Sequence, residues 1–431
     1  MPTRAQAPAV PRLTYLRIKN YRTLRDVEFR DLTPLTVLIG PNGSGKSTVL
    51  DALDFLAEAV RGNLVGAWEK RNRFAGMRTR GSEGDIEFEV EFEGIVADQK
   101  LNYFFEIAEH EDGRLFIMDE KLKVVYIDKV ETVFFQELRG NKDAFGAVTK
   151  IFKSEKGPDG NWHFLESSES SSTTILTDYR EGEVWQYPIL SRRAFLSYYS
   201  NEIIAELLKA LSSYRYIHLT DDHLKGYSDA GPREKLSPNG DNLPNVLYYL
   251  HTKHPEVLAK ITAQMRRWVP GLADIVTEIT SDERLLLRFK DAPFEKPLPA
   301  QYMSDGTMRL AALLTLLYEP DATGLLGIEE PENELHPRLL HQLAEELIKA
   351  TEHRQLLIAT HSPALLNAFE PEQVWIMHRG ADGYAQATRT ADIPNIKELV
   401  EDGSPLGYLW TSNSFTVGDP LAPRSAPADA R

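Results

Sequence analysis

From Leu13 onward, apolar and polar side chains alternate through LTYLRIKNY and VEFRDL, the mark of half-buried strands. Leu35–Ile39 is an unbroken apolar run ending at a glycine turn, and Thr48–Val60 (TVLDALDFLAEAV) then places its apolar residues at helical spacing. A strand, loop and helix are predicted. Alternation returns from Asp85 to about Phe152, in DIEFEVEFEG, LNYFFEIAEH, RLFIMDEKLKVVYID and ETVFFQEL, and predicts an antiparallel meander. Residues 153–182, rich in Ser, Glu, Gly and Thr, read as a flexible insertion. Helices are expected near Ser191 and Glu202 and through Asn245–Trp268, and the last third alternates the strand runs LLGI, QLLIAT and VWIMH with helices, as a parallel α/β sheet does. Neither a heptad run nor a repeat of roughly 20–50 residues is visible, so no long coiled-coil arm is expected.

Composition narrows the class. The 431 residues are 42% hydrophobic, enough for a large core. Cysteine is absent, which excludes a disulfide framework, a thiolate zinc site and a cysteine nucleophile, and points to a reducing, cytoplasmic compartment. No apolar run reaches the roughly 20 residues of a membrane span. The formal net charge of −15 should repel nucleic acid and anionic membranes, leaving only a local patch for any polynucleotide. Pro, Ala and Arg dominate both ends, so residues 1–11 and 416–431 are expected to be disordered tails. Between them the sequence divides into an N-terminal lobe with the glycine turn and the meander (12–200), a helical lobe (201–300) and an α/β part (301–415).

Gly40–Thr48 spells GPNGSGKST, a G-x-x-x-x-G-K-[ST] phosphate loop flanked by a strand and a helix. In the loop Gly40, Pro41, Asn42, Gly43, Ser44 and Gly45 the glycines let backbone N–H groups wrap phosphates, and the helix N-terminus adds a dipole that favours anions. Lys46 supplies a compact charge for the β and γ phosphates, while Ser47, followed by Thr48, offers a hydroxyl to Mg²⁺. Further on, LLGIEE ends a buried strand in two carboxylates. Glu329 stands where a magnesium-side acid belongs, and Glu330 where an acid would orient or deprotonate the attacking water. Ser304, Asp305, Gly306 and Thr307 (SDGT) open the apolar helix MRLAALLTLLY. Taken alone, Ser-Asp is an ordinary helix cap; ahead of LLGIEEP it also implies a second anion site. QLLIAT ends in His361, Ser362 and Pro363, where a histidine can reach a γ phosphate.

GPNGSGKST, SDGT, LLGIEEPENELHP and IATHSP, in that order, resemble the ABC-type ATPases of the RecF, OLD and SMC group, and most of all their short, arm-free members. RIKNYRTL and NGDNLPNVLYYL are similar to that subgroup too, so the resemblance covers nearly the whole ordered chain. It implies an α/β, P-loop ABC-type ATPase head: a mixed sheet with an antiparallel β subdomain and a helical signature lobe. ATP and Mg²⁺ are the implied cofactors and Lys46, Glu330 and His361 the implied catalytic residues, with Ser47 and Glu329 at the metal. The family's signature helix caps the γ phosphate held by a second head. Ser304, Asp305 and Gly306 therefore become phosphate ligands acting across a homodimer, and Asn333, Glu334 and His336 fall in the loop that crosses its seam. Asn20 and Arg22 match an early loop near the nucleotide. Three departures stand out: SDGT replaces SGGQ, the first acid is Glu329 rather than aspartate, and the family's Q-loop glutamine is Gln99, Gln136 or absent. OLD nucleases continue into a TOPRIM domain after this histidine, whereas about 70 residues follow it here, so nuclease activity within the chain is not expected.

Two basic clusters, Lys70–Arg80 around Phe74 and Arg266–Trp268, could contact phosphates, or be a solvated loop and a helix end. His218, Asp221, Asp222 and His223 could mimic a metal site, but TDD reads better as a turn and helix cap. Two functions follow from the sequence. One is an ATP-driven dimer acting on DNA in repair, recombination or defence against mobile elements. The other is a nucleotide-gated scaffold holding a separately encoded nuclease or toxin in check. A P-loop kinase or GTPase lacks an acceptor site or a guanine-reading motif.

Overall fold

The computed structural model describes residues 10–95, 100–109, 113–125, 129–139, 145–156, 162–170, 201–226, 228–229, 231–281 and 283–419. Strands β1 (Arg12–Tyr21) and β2 (Leu24–Phe29) form a hairpin. The continuous apolar run becomes β3 (Leu35–Ile39), and α1 (Lys46–Glu58) follows the glycine loop. Two short helices, α2 (Leu64–Lys70) and α3 (Arg73–Met77), lead into the meander. Its strands are β4 (Ile86–Glu93), β5 (Lys100–Glu109), β6 (Leu115–Val125), β7 (Lys129–Arg139), β8 (Phe145–Lys156) and β9 (Trp162–Ser170). With β1 and β2 they make one sheet in the order β2-β1-β4-β5-β6-β7-β8-β9.

That sheet corrects one expectation. Within 153–182, β8 continues to Lys156 and pairs antiparallel with β9, so part of the presumed insertion is ordered strand. Polar composition says how little a segment can bury; ladder hydrogen bonds at a sheet edge form regardless of it. Residues 157–161 and 171–182, and the helix expected near Ser191, lie outside the described residues.

After α4 (Asn201–Ser212) the chain enters a second sheet through β10 (Arg215–Ile217). The lobe that follows holds α5 (Asp221–Leu224), β11 (Ser228–Asp229), α6 (Leu243–Lys253), α7 (Pro255–Trp268), β12 (Leu272–Ile279), β13 (Arg284–Asp291) and β14 (Leu298–Pro299). It is not purely helical, because LADIVTEI and RLLLRFKD alternate about a turn and close as a hairpin. Helix α8 (Asp305–Leu317) leads to β15 (Leu325–Glu329), α9 (Leu340–Ala350), β16 (Gln355–Thr360), β17 (Val374–Arg379) and β18 (Ala385–Arg389).

The second sheet runs β10-β15-β16-β3-β17-β18, parallel except for β18. Its strands are covered on both faces, which is why they read as unbroken apolar runs. Leu38, Leu325, Leu357 and Ala359 face the core shared with α1 and the meander, while Val37, Ile39, Leu326, Ile328, Leu356 and Ile358 face the core shared with α6–α9. Gln355, 1% exposed, fastens the two sheets: its Oε1 accepts from Leu13 N at 2.7 Å, and its Nε2 donates to Leu13 O at 2.8 Å and Thr33 O at 3.0 Å. At the C-terminal end the core extends beyond residue 415: Phe415 is buried and Val417 packs against it, so the first residues of the expected tail from 416 are packed, and 420–431 lie outside the described residues. No described helix is long and apolar enough to cross a membrane.

Behind β15 lies a buried ion cluster. Glu319 accepts from Arg215 Nη1 at 2.6 Å and stands 3.7 Å from Arg354, whose guanidinium burial pulls down to about 10 despite Glu319. Glu319→Gln leaves two inward-facing guanidinium groups without a counter-charge and is expected to cost about 3 kcal/mol of stability. Urea unfolding checks this; a loss below about 1 kcal/mol would mean that the cluster is already well solvated.

Candidate functional site

Strands β10, β15, β16, β3 and β17 all point their C-terminal ends to one edge of the parallel sheet, where α/β proteins bind ligands. The glycine loop leaves β3 there. Gly40 is pinned against β17, since a Cβ on it would lie 2.0 Å from Met377 O. Gly45 adopts φ 107°, a conformation open to glycine, and its back touches Thr23 and Ala385. Arg379 donates to Gly43 O at 2.8 Å from outside the loop, while Ser44 is buried and Asn42 and Ser47 are exposed. Lys46, 5% exposed, folds back onto Gly40 O at 2.9 Å and Pro41 O at 3.2 Å. Burial pulls its ammonium down to about 8 against the fields of Glu330, Glu329 and Glu332. Thr48 is half-buried in the first turn of α1.

Glu329 ends β15 beside this loop. Its Oε1 accepts from the Ser47 hydroxyl and its Oε2 from the Tyr216 hydroxyl, while His218 Nδ1 lies 3.0 Å from Oε2. Burial pushes this carboxyl up, but the hydrogen bonds from His218, Ser47 and Tyr216 outweigh it and hold Glu329 at about 2. The set of a hydroxyl and a carboxylate is one a hard divalent cation takes, so Ser47 and Glu329 fit Mg²⁺.

Glu330 sits in the left-handed region, φ 43°, which costs a residue with a Cβ roughly 1–2 kcal/mol. Every polar group it carries is held. Its N–H donates to Ala359 O at 2.8 Å, its carbonyl accepts from Arg309 Nη2 at 2.9 Å, and its carboxylate meets Asn333 Nδ2 and, at 3.4 Å, His361 Nε2. Burial, then Lys46, keeps the His361 imidazole below its ordinary value. Glu332 is buried behind the pair, where its carboxylate accepts from Thr360 Oγ1 and from His361 N at 3.2 Å. Burial raises its carboxyl.

Ser304 caps α8, its hydroxyl accepting from Thr307 N at 3.2 Å. Asp305 pairs with Lys225 at 2.5 Å, which offsets a negative charge at an anion-favouring helix end. A Cβ on Gly306 would meet Glu334 O at 2.4 Å. None of the described hydrogen bonds or ion pairs joins Ser304, Asp305 or Gly306 to the glycine loop of the same chain. Gly306 instead packs on the 330–335 turn, whose next residue, His336, accepts from Arg338 N. Asn20 is buried and bonded to Ser82 and Asp85, and Arg22 pairs with Asp51 of α1 at 3.0 Å, beside Thr23 and the back of Gly45.

Sequence reasoning missed Tyr216, Arg309 and Glu332, and gave His218 the wrong partners. Rather than grouping with Asp221, Asp222 and His223 as a metal mimic, His218 turns to Glu329, from just past the strand that borders β15. Of the glutamine candidates, Gln99 lies outside the described residues and Gln136 is on β7 of the other sheet. The basic run Lys70–Arg80 is largely neutralised within the chain. Arg71, buried, meets Asp51, Asp54 and Glu58; Lys70, Arg73 and Arg78 pair with Glu58, Glu69 and Glu109. Of the second cluster, Trp268 is buried in the core and Arg266 donates to Ala273 O.

Residues 35–367 match the family model described as "AAA domain, putative AbiEii toxin, Type IV TA system". A retron Ec83 probable ATPase from Escherichia coli is 22% identical over 86% of this chain and 72% of its own length. An OLD nuclease from Thermus scotoductus is 48% identical over 10% of this chain and 8% of its own, and a DNA replication and repair protein RecF from Chlorobium luteolum 40% over 14% and 15%. Among solved structures, an SMC head bound to the C-winged helix domain of ScpA matches with a TM-score of 0.46 at 12% identity, covering 87% of this chain and 97% of that one. An SMC head domain from Thermotoga maritima gives 0.40 at 13%, covering 88% and 98%.

Gly306→Ala is expected to lower stability by about 1–3 kcal/mol, since the added methyl overpacks the Glu334 carbonyl. Urea unfolding tests it, and a variant as stable as the parent would show that the 330–335 turn yields freely.

Proposed function

This chain belongs to that AAA-domain family and is an ATPase of the RecF/OLD/SMC-like group, and from that premise we propose that two copies close face to face around ATP and Mg²⁺ and reopen on hydrolysis. The observation that carries the reading is the split between the site's parts. Lys46, Ser47, Glu329, Glu330 and His361 converge at one sheet edge, while Ser304–Gly306 stand off behind the 330–335 turn with no bond to the glycine loop. A second copy would bring its own Ser304 and Gly306 to the phosphates.

Each residue then has a task. Lys46 would exchange its loop carbonyls for phosphate oxygens, and Asn42 to Thr48 would wrap the triphosphate, with Asn20 and Arg22 bordering it. Ser47 and Glu329 would hold Mg²⁺, which when bound supplies charge neutralisation at the phosphates. Glu330, whose carboxylate is aimed by Asn333 and His361, would orient the attacking water and take its proton. His361 would contact the γ phosphate.

The family description and the retron relative both favour a role in defence against mobile elements over housekeeping repair. Within that role, the internal pairing of Lys70, Arg71, Arg73 and Arg78 favours the second reading, a nucleotide-gated scaffold that restrains a separately encoded nuclease or toxin. Salt-sensitive DNA binding by the chain alone would reverse that preference; co-purification with an effector protein supports it.

Lys46→Ala is expected to abolish magnesium-dependent ATP hydrolysis. Glu330→Gln should slow turnover about 100-fold or more and double the particle mass in light scattering when ATP and Mg²⁺ are added. An unchanged mass would count against closure around nucleotide.

A further inference from the structure

Arg309 is the fifth residue of α8 and is 3% exposed. A buried guanidinium is costly unless its donors are used, and the fork of this one spans two elements. Nη2 donates to the carbonyl of Glu330 at 2.9 Å, and Nη1 reaches the carbonyl of Leu219 at 3.4 Å. Glu330 carries the strained φ of 43°, and Leu219 directly follows His218, which meets Glu329. One side chain thus links the helix capped by Ser304 to the backbone of Glu330 and to the carbonyl one residue past His218, whose ring meets the Glu329 carboxylate. The contact of Gly306 with the Glu334 carbonyl is a second link between the same helix and the same turn, so two points of α8 fix the 330–335 segment.

We propose that Arg309 is a positioning residue for hydrolysis: it holds the Glu330 backbone in its left-handed conformation and passes a displacement of the Ser304–Gly306 helix end to the water-orienting carboxylate. A partner's phosphate drawing on the start of α8 would move the guanidinium, and with it the Glu330 peptide, while Lys46 and Ser47 sit on α1 and bind nucleotide independently. Arg309 therefore acts on turnover after binding, not on binding itself. This rests on the assignment of Glu330 as the water-orienting group in the function proposed above.

The test compares Arg309→Gln, Arg309→Lys and Glu330→Gln in the full chain, each first checked by thermal melting. Fluorescent-nucleotide titration reads binding, and phosphate release reads turnover. Arg309→Gln is expected to bind nucleotide within about threefold of the parent and to lose at least about 30-fold in kcat with KM little changed. Arg309→Lys, which keeps the charge but cannot span both carbonyls, should fall between them. Adding Arg309→Gln to Glu330→Gln should cost almost nothing more, because both act on one carboxylate. Parent-like kcat in Arg309→Gln, a loss confined to KM or binding, or full additivity with Glu330→Gln would each overturn the proposal. Should Arg309→Gln fail to fold, Arg309→Lys carries the same comparison. Glu330→Gln alone separates the two ideas: normal turnover there refutes the assignment of Glu330, whereas a slow Glu330→Gln beside a fast Arg309→Gln refutes only the role of Arg309.

Discussion

The carboxylate of Glu329 is where the molecule's separate parts are made to agree. It accepts from Ser47 at the start of α1, from Tyr216 within β10, and faces His218 just past that strand. Half-buried, it would be expensive without those donors; with them it stays ionised far below its ordinary range. The register of β10 on β15, Ile217 beside Ile328, and the start of α1 beside the end of β15 are both conditions of that arrangement. A shift of one residue in either would turn the donors away.

Glu330, next in sequence, lives by a different rule. Its neighbour is held through side-chain oxygens, whereas Glu330 is held through its backbone, in a conformation with an intrinsic cost. The peptide groups of β16 and the guanidinium from α8 supply what offsets it. The two adjacent acids thereby stand in distinct environments: the Glu329 carboxylate against the hydroxyls of Ser47 and Tyr216, the Glu330 carboxylate between Asn333 and His361.

How much of this the sequence displays depends on distance along the chain. The glycine loop and the parallel strands are legible because their marks are local: Leu35–Ile39 and Gln355–Thr360 are buried on both faces and so carry no alternation. Tyr216 and His218 are not legible, because β10 spans three residues and its meeting with Glu329 bridges more than a hundred positions. Arg309 hides for another reason. A lone arginine inside an apolar helix reads as a solvated face, and only the packing of α8 against the 330–335 turn and the segment after β10 reveals two carbonyls waiting for it. Composition misled at β9, where serines and glutamates fill an edge strand whose ladder needs no apolar side chain.

The amide of Gln355 carries a mechanical implication. With three hydrogen bonds closed in a buried position, it joins β1 and the turn before β3 to the strand that leads to His361. The two sheets must travel as a single stiff plate. A slip of one sheet past the other at this point would break all three bonds at once.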